Sequence, residues 1–128
     1  MKKKRKITEI RLKNSNPTKR LIYIDNNFFI ETDDIIVSEM ELFKNKIISE
    51  NHANSLIEKT LLKKAKNDSI RFLSYRPRSE WEIINKLKNK KYPQIVIENV
   101  IKWLKEKDFV NDINFSNMWI KHKLDNNP

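Results

Sequence analysis

Glycine and cysteine are both absent from this chain of 128 residues. Without glycine there is no G-x-x-x-x-G-K-[ST] loop and no G-x-G-x-x-G turn, because both press bare backbone against a phosphate where a Cβ would intrude. Nucleotide hydrolases of those types are excluded. Without cysteine there are no disulfides, thiolate nucleophiles or Cys-based zinc sites, and two isolated histidines, His52 and His122, are too few to hold a transition metal. No cofactor and no metal is therefore expected. No apolar run reaches membrane length. The charged start resembles the leader of a signal peptide, but residues 7–12 alternate with polar side chains and supply no continuous apolar segment, so a cytoplasmic location is expected.

Charge of one sign is what the chain has in excess. Lys and Arg number 27 against 17 Asp and Glu, a net charge of +10. Ile, Asn and Lys all have A- and T-rich codons, so distribution carries more information than the total. Residues 1–20 hold nine basic residues and one acidic, residues 21–60 three and eight, and residues 61–128 fifteen and eight. Cations segregated in this way favour a polyanionic partner. With only 38% hydrophobic residues, the chain reads as a domain rich in solvated surface, or as one member of a complex.

The pattern predicts a small β-rich region followed by helices. Residues 7–12 and 21–24 read as strands, Asp25, Asn26 and Asn27 as a hairpin turn with positive φ, and residues 28–32 as a third strand. That three-stranded meander is too small to stand alone. Asp33 and Asp34 are placed to cap a short helix, and residues 46–48 form one more short strand. From Ser49 the period changes. A helix over residues 50–75, open to a break at Asn67 and Asp68, ends at Pro77. Ser79 and Glu82 form a capping box for a second helix, with Trp81, Ile84 and Leu87 on its apolar face. Pro93 opens a third, where Ile97, Val100, Ile101 and Leu104 make the core stripe. Asp112 caps a fourth, with Phe115, Met118, Trp119 and His122 on one face. Ser69, Phe72, Leu73 and Arg76 recur as Ser116, Trp119, Ile120 and Lys123, 47 residues on, a spacing typical of helical repeats.

The segment Arg76, Pro77, Arg78, Ser79, Glu80, preceded by Phe72 and Tyr75, followed by Glu82, Leu87, Trp103 and Leu104, and completed by Phe109, Val110, Asn111, Asp112 and Phe115, resembles the RecX family of regulators of the bacterial recombinase RecA. The resemblance covers residues 65–124 and is looser over residues 7–48. It implies a mainly α fold, α+β overall: a small amino-terminal β-meander over residues 1–48, a first three-helix repeat over 49–111 and the first helix of a second repeat over 112–128, so the chain is expected to stop as that repeat begins. It also implies a non-enzymatic protein that binds the groove of the RecA filament. Lys91 and Tyr92 stand where the family commonly has Lys-Gly.

The residues themselves offer no nucleophile and base pair, metal cluster or phosphate loop, and no small-molecule substrate or membrane partner is expected. Candidate partner or phosphate contacts are Arg76 and Arg78, whose guanidinium forks fit carboxylate or phosphate but can also pair internally with Glu80 or a helix end. Lys86, Lys88, Lys90 and Lys91 cluster at the end of the second helix, and Lys121 and Lys123 extend that surface; a solvated helix face is the plainer reading of both. Trp81 and Trp119 are expected in the core. Trp103 lies off its helix's main stripe and is the aromatic candidate for an inter-repeat or partner contact. The expected function is inhibition of recombination, repair and SOS activities through filament occupancy. The alternative is a sequence-nonspecific DNA- or RNA-binding protein that needs no recombinase.

Overall fold

The computed structural model describes residues 4–110. Its elements run β1 (Lys4–Lys13), β2 (Asn16–Ile24), β3 (Asn27–Asp33), α1 (Asp34–Glu39), β4 (Ile47–Ser49), α2 (Glu50–Tyr75), α3 (Glu80–Asn89) and α4 (Gln94–Glu106), an α+β fold. Two compact units divide between Thr60 and Leu61, and α2 contributes its first part to one and the remainder to the other.

In the first unit the expected meander gains a fourth strand. The antiparallel order is β3-β2-β1-β4, with β4 pairing Lys4, Arg5 and Lys6 of β1. Asp25 and Asn26 make the two-residue β2–β3 turn with φ of 51° and 68°. Asn and Asp enter the left-handed region at lower cost than other residues with a side chain, so they serve where glycine is missing. One sheet face carries the row Ile10, Ile22, Ile30 and packs with Ile7, Ile24 and Ile48 against Ile36 and Met40 and against Ala53 and Leu56 of α2. Thr60 Oγ1 donates to the Leu56 carbonyl at 2.7 Å, leaving its oxygen to accept from the buried Thr32 hydroxyl at 2.8 Å. Asp33 caps α1 by accepting from the Ile36 N–H at 2.8 Å.

In the second unit α2, α3 and α4 enclose Ala65, Ile83, Leu87, Val96, Ile97, Val100, Ile101, Leu104 and Val110, with Ile84 packed against them. The stripe of α4 therefore shares one interior with α3, as its spacing predicts. Helix α2 continues through Asn67 and Asp68 without a break. Trp81 departs from the burial expected of it. It is 72% exposed, because the inward face of α3 is set by Ile83 and Leu87, one turn apart, and a residue two positions before Ile83 points the other way.

Three helices end alike. After α1, α3 and α4 a residue with positive φ follows the cap: Glu41 (53°), Lys91 (70°) and Asp108 (60°). In each case the next N–H reaches back to the helix: Leu42 to the Val37 carbonyl at 2.9 Å, Tyr92 to Leu87 at 3.2 Å, Phe109 to Leu104 at 2.9 Å. These are Schellman closures, built with side chains where glycine is usual. Lys91→Gly is expected to raise the unfolding free energy by about 1 kcal/mol, since the left-handed strain of a residue with a Cβ exceeds the added chain entropy of glycine. Chemical denaturation of the two proteins side by side checks this, and an unchanged or lower midpoint would contradict it.

Candidate functional site

Arg76 and Arg78 leave the end of α2 on either side of Pro77, and both are drawn back to the first turn of α3. Ser79 caps that turn: its hydroxyl accepts from the Glu82 N–H at 3.0 Å, and the Glu82 carboxylate accepts from the Ser79 N–H at 3.2 Å. The same carboxylate takes Arg76 Nη2 at 2.7 Å and lies 3.9 Å from Arg78 Nη1. Arg78 Nε donates to the Phe72 carbonyl at 3.2 Å, closing one of the open carbonyls at the end of α2, and its guanidinium sits 3.7 Å from the centre of the Phe72 ring. The internal partner of the arginines is thus Glu82; Glu80 is held instead by Lys105 Nζ at 2.6 Å.

This packing shifts the charges. The Arg78 side chain is only 12% exposed; burial first, and then the neighbouring Arg76, lower its pKa, while Glu82 opposes them. Burial also raises the Glu82 carboxyl, but the hydrogen bonds from Arg76 and the Ser79 N–H, with the charges of both arginines, outweigh it and leave the pKa below its ordinary value. Arg78 is therefore largely committed to the fold, and Arg76 presents the more open guanidinium.

The lysines divide in a similar way. Lys86 Nζ lies 5.2 Å from the Phe72 ring. Lys90 Nζ lies 3.5 Å from Asp68 Oδ2, which also accepts from the Tyr92 hydroxyl at 2.5 Å. Burial, and then Asp68, push the Tyr92 phenol far above its ordinary pKa, so it remains a donor. Lys88 and Lys91 are exposed, and Lys91 occupies the left-handed position that ends α3. Trp103 is half-buried against the core, edge-on to Phe109 at 6.1 Å, with Lys66 Nζ 4.9 Å from its ring. Lys121, Lys123, Trp119 and His122 lie outside the described residues.

What the spacing did not predict is the pair of aromatic side chains flanking the arginine hub. Tyr75 closes α2 and Trp81 opens α3, at 78% and 72% exposure. The signal was present in the sequence: once Ile83 and Leu87 are taken as the inward pair, Trp81 falls outside the stripe. Trp81, Tyr75 and Arg76 are thus exposed around the α2–α3 connection, and tryptophan, tyrosine and arginine are the side-chain types that dominate binding energy where proteins meet. No helix among the described residues is long and apolar enough to cross a membrane.

Comparison with known proteins agrees with this architecture. Residues 65–104, the core of the helical unit, match the family model described as RecX, first three-helix domain. The chain is 29% identical over 119 residues to the regulatory protein RecX of Listeria welshimeri, covering 93% of this chain and 44% of that one. To the regulatory protein RecX of Clostridium acetobutylicum it is 27% identical over 118 residues, covering 92% and 55%. The chain therefore spans about half the length of the curated relatives it matches. A crystal structure of a regulatory protein RecX superposes with a TM-score of 0.66 at 20% identity, covering 96% of this chain and 60% of the other, which bears on the fold. With the three-helix model seated on α2, α3 and α4 and relatives of one name aligned across both units, the chain is similar to RecX proteins from its sheet through its helical unit.

Proposed function

We propose that this chain is a non-enzymatic regulator that binds the RecA filament in the cytoplasm and limits recombination, DNA repair and SOS activities by occupying the filament surface. The observation that supports this most is the exposure of Trp81 and Tyr75 beside an arginine hub already ordered by Glu82. Large rigid side chains on an ordered scaffold lose little entropy on binding, so their burial against a partner is converted efficiently into affinity. The repeat over residues 49–111 acts as the docking brick, with Lys88 and Lys91 facing acidic side chains or DNA phosphates at its margin.

The test is co-sedimentation with RecA filaments, together with filament-dependent ATP hydrolysis, for the parent chain and Trp81→Ala. Because Trp81 is exposed, the variant is expected to fold normally by circular dichroism. Its filament affinity is expected to fall about 30-fold or more, as for a central aromatic contact, with Trp81→Phe retaining most of it. Equal binding by parent and Trp81→Ala would sink the assignment of this face. If RecA adds nothing to the binding of a DNA duplex by the chain, and filament-dependent ATP hydrolysis is unchanged, the recombinase-independent reading replaces it.

A further inference from the structure

The sheet of the first unit has a second face, turned away from its core. Its cross-strand rows are Glu9, Tyr23, Phe28 and Arg11, Leu21, Glu31, opposite the Ile10, Ile22, Ile30 row that meets the core. Phe28 is 56% exposed. A bulge in the β2–β3 pairing produces that exposure: Ile22 pairs Ile30 while Tyr23 pairs Phe28, so Phe29 is the extra residue and packs against the core, leaving Phe28 beside Tyr23 outside. The two rings stand edge to face at 5.8 Å, and the Arg11 guanidinium lies 4.9 Å from the Tyr23 ring.

Charge identifies the occupant. Strands β1, β2 and β3 together carry seven cations against three carboxylates, Glu9, Glu31 and Asp33. On the open face itself Arg11 is paired to Glu9 at 2.9 Å and Lys13 to Glu31 at 2.9 Å, but such exposed pairs contribute little and exchange readily for a phosphate. Aromatic rings accessible on a sheet, bordered by cations, stack unpaired bases while the charges track the backbone. A duplex, whose bases are already stacked, cannot use the rings.

We infer that the open face of the sheet, centred on Phe28, Tyr23 and Arg11, is a binding platform for single-stranded nucleic acid. The experiment is fluorescence anisotropy with labelled oligo-dT and oligo-rU of about 15 nucleotides, beside a duplex of equal length, using the whole chain. Both single strands are expected to bind more tightly than the duplex, with an affinity that falls as salt rises; a preference for one of them identifies DNA or RNA as the source. Phe28→Ala is expected to weaken single-strand binding by roughly 5- to 150-fold and leave duplex binding unchanged, while Phe28→Trp preserves or strengthens it. The inference fails if Phe28→Ala, shown folded by its thermal transition, binds the single strands as the parent does. It fails equally if the duplex competes on equal terms, or if the parent binds no single strand. Trp81→Ala should leave this binding intact, so its outcome is separable from that of filament docking.

Discussion

Leu87→Ala is expected to lower the unfolding free energy of the helical unit by about 2 to 5 kcal/mol, the range for removing a fully buried leucine from a packed core. Two features place the loss toward the upper end. Helix α3 is ten residues long and has two wholly buried side chains, Ile83 and Leu87, so no neighbour on that helix can fill the void. Tyr92, which packs against the same core, is held by its N–H on the Leu87 carbonyl at 3.2 Å and by its hydroxyl on Asp68, so its ring is not free to move into the void. Urea unfolding followed by circular dichroism measures the change. A loss under 1 kcal/mol would mean that α3 and α4 do not share the interior described. Trp81→Ala in the same helix provides the contrast, since removing an exposed ring should scarcely move the transition.

Glu82→Gln is the second, with an expected cost of about 2 kcal/mol at neutral pH. The neutral amide can still accept from the Ser79 N–H, since glutamine serves in a capping box as glutamate does, but it leaves the Arg76 hydrogen bond and the partly buried Arg78 guanidinium without their counter-charge. The pH dependence has a definite sign. A carboxyl whose folded pKa lies below its ordinary value of 4.5 supplies stability that is complete above that value and disappears as pH falls through the folded pKa. The difference between parent and Glu82→Gln should therefore be widest near neutrality and narrow as pH is taken below 4.5, approaching the cost of geometry alone. Denaturation midpoints at several pH values check this; a gap that stays constant into acid would show that the Arg76 and Arg78 pairing contributes nothing to stability.

The helical unit was legible because local rules and packing agree there. Ser79 and Glu82 three residues apart gave the start of α3, and the spacing of Ile97, Val100, Ile101 and Leu104 gave the buried face of α4, both as observed. Trp81 was misjudged because Leu87 belongs equally to an Ile84 and an Ile83 stripe, and residue hydrophobicity cannot choose between them. Packing chose Ile83, and with it turned the indole outward. Ala53 and Leu56 escaped notice for a different reason: the first turns of α2 face a sheet distant in sequence, and their burial against Ile7 and Ile24 depends on that long-range pairing. Of the candidate site, the types were legible and the allegiances were not. Arg78 and Lys90 are held by Phe72, Glu82 and Asp68, contacts that cross between helices and leave no periodic trace.

A chain that stops three helices with glutamate, lysine and aspartate, at positions most proteins give to the smallest residue, keeps an unused margin. Each stop can be relaxed by one exchange that disturbs no interior atom, and the three closures share no hydrogen-bond partner, so their gains are expected to accumulate. The protein therefore sits below the ceiling its own architecture allows, and the route upward runs through its turns while the core remains as it is.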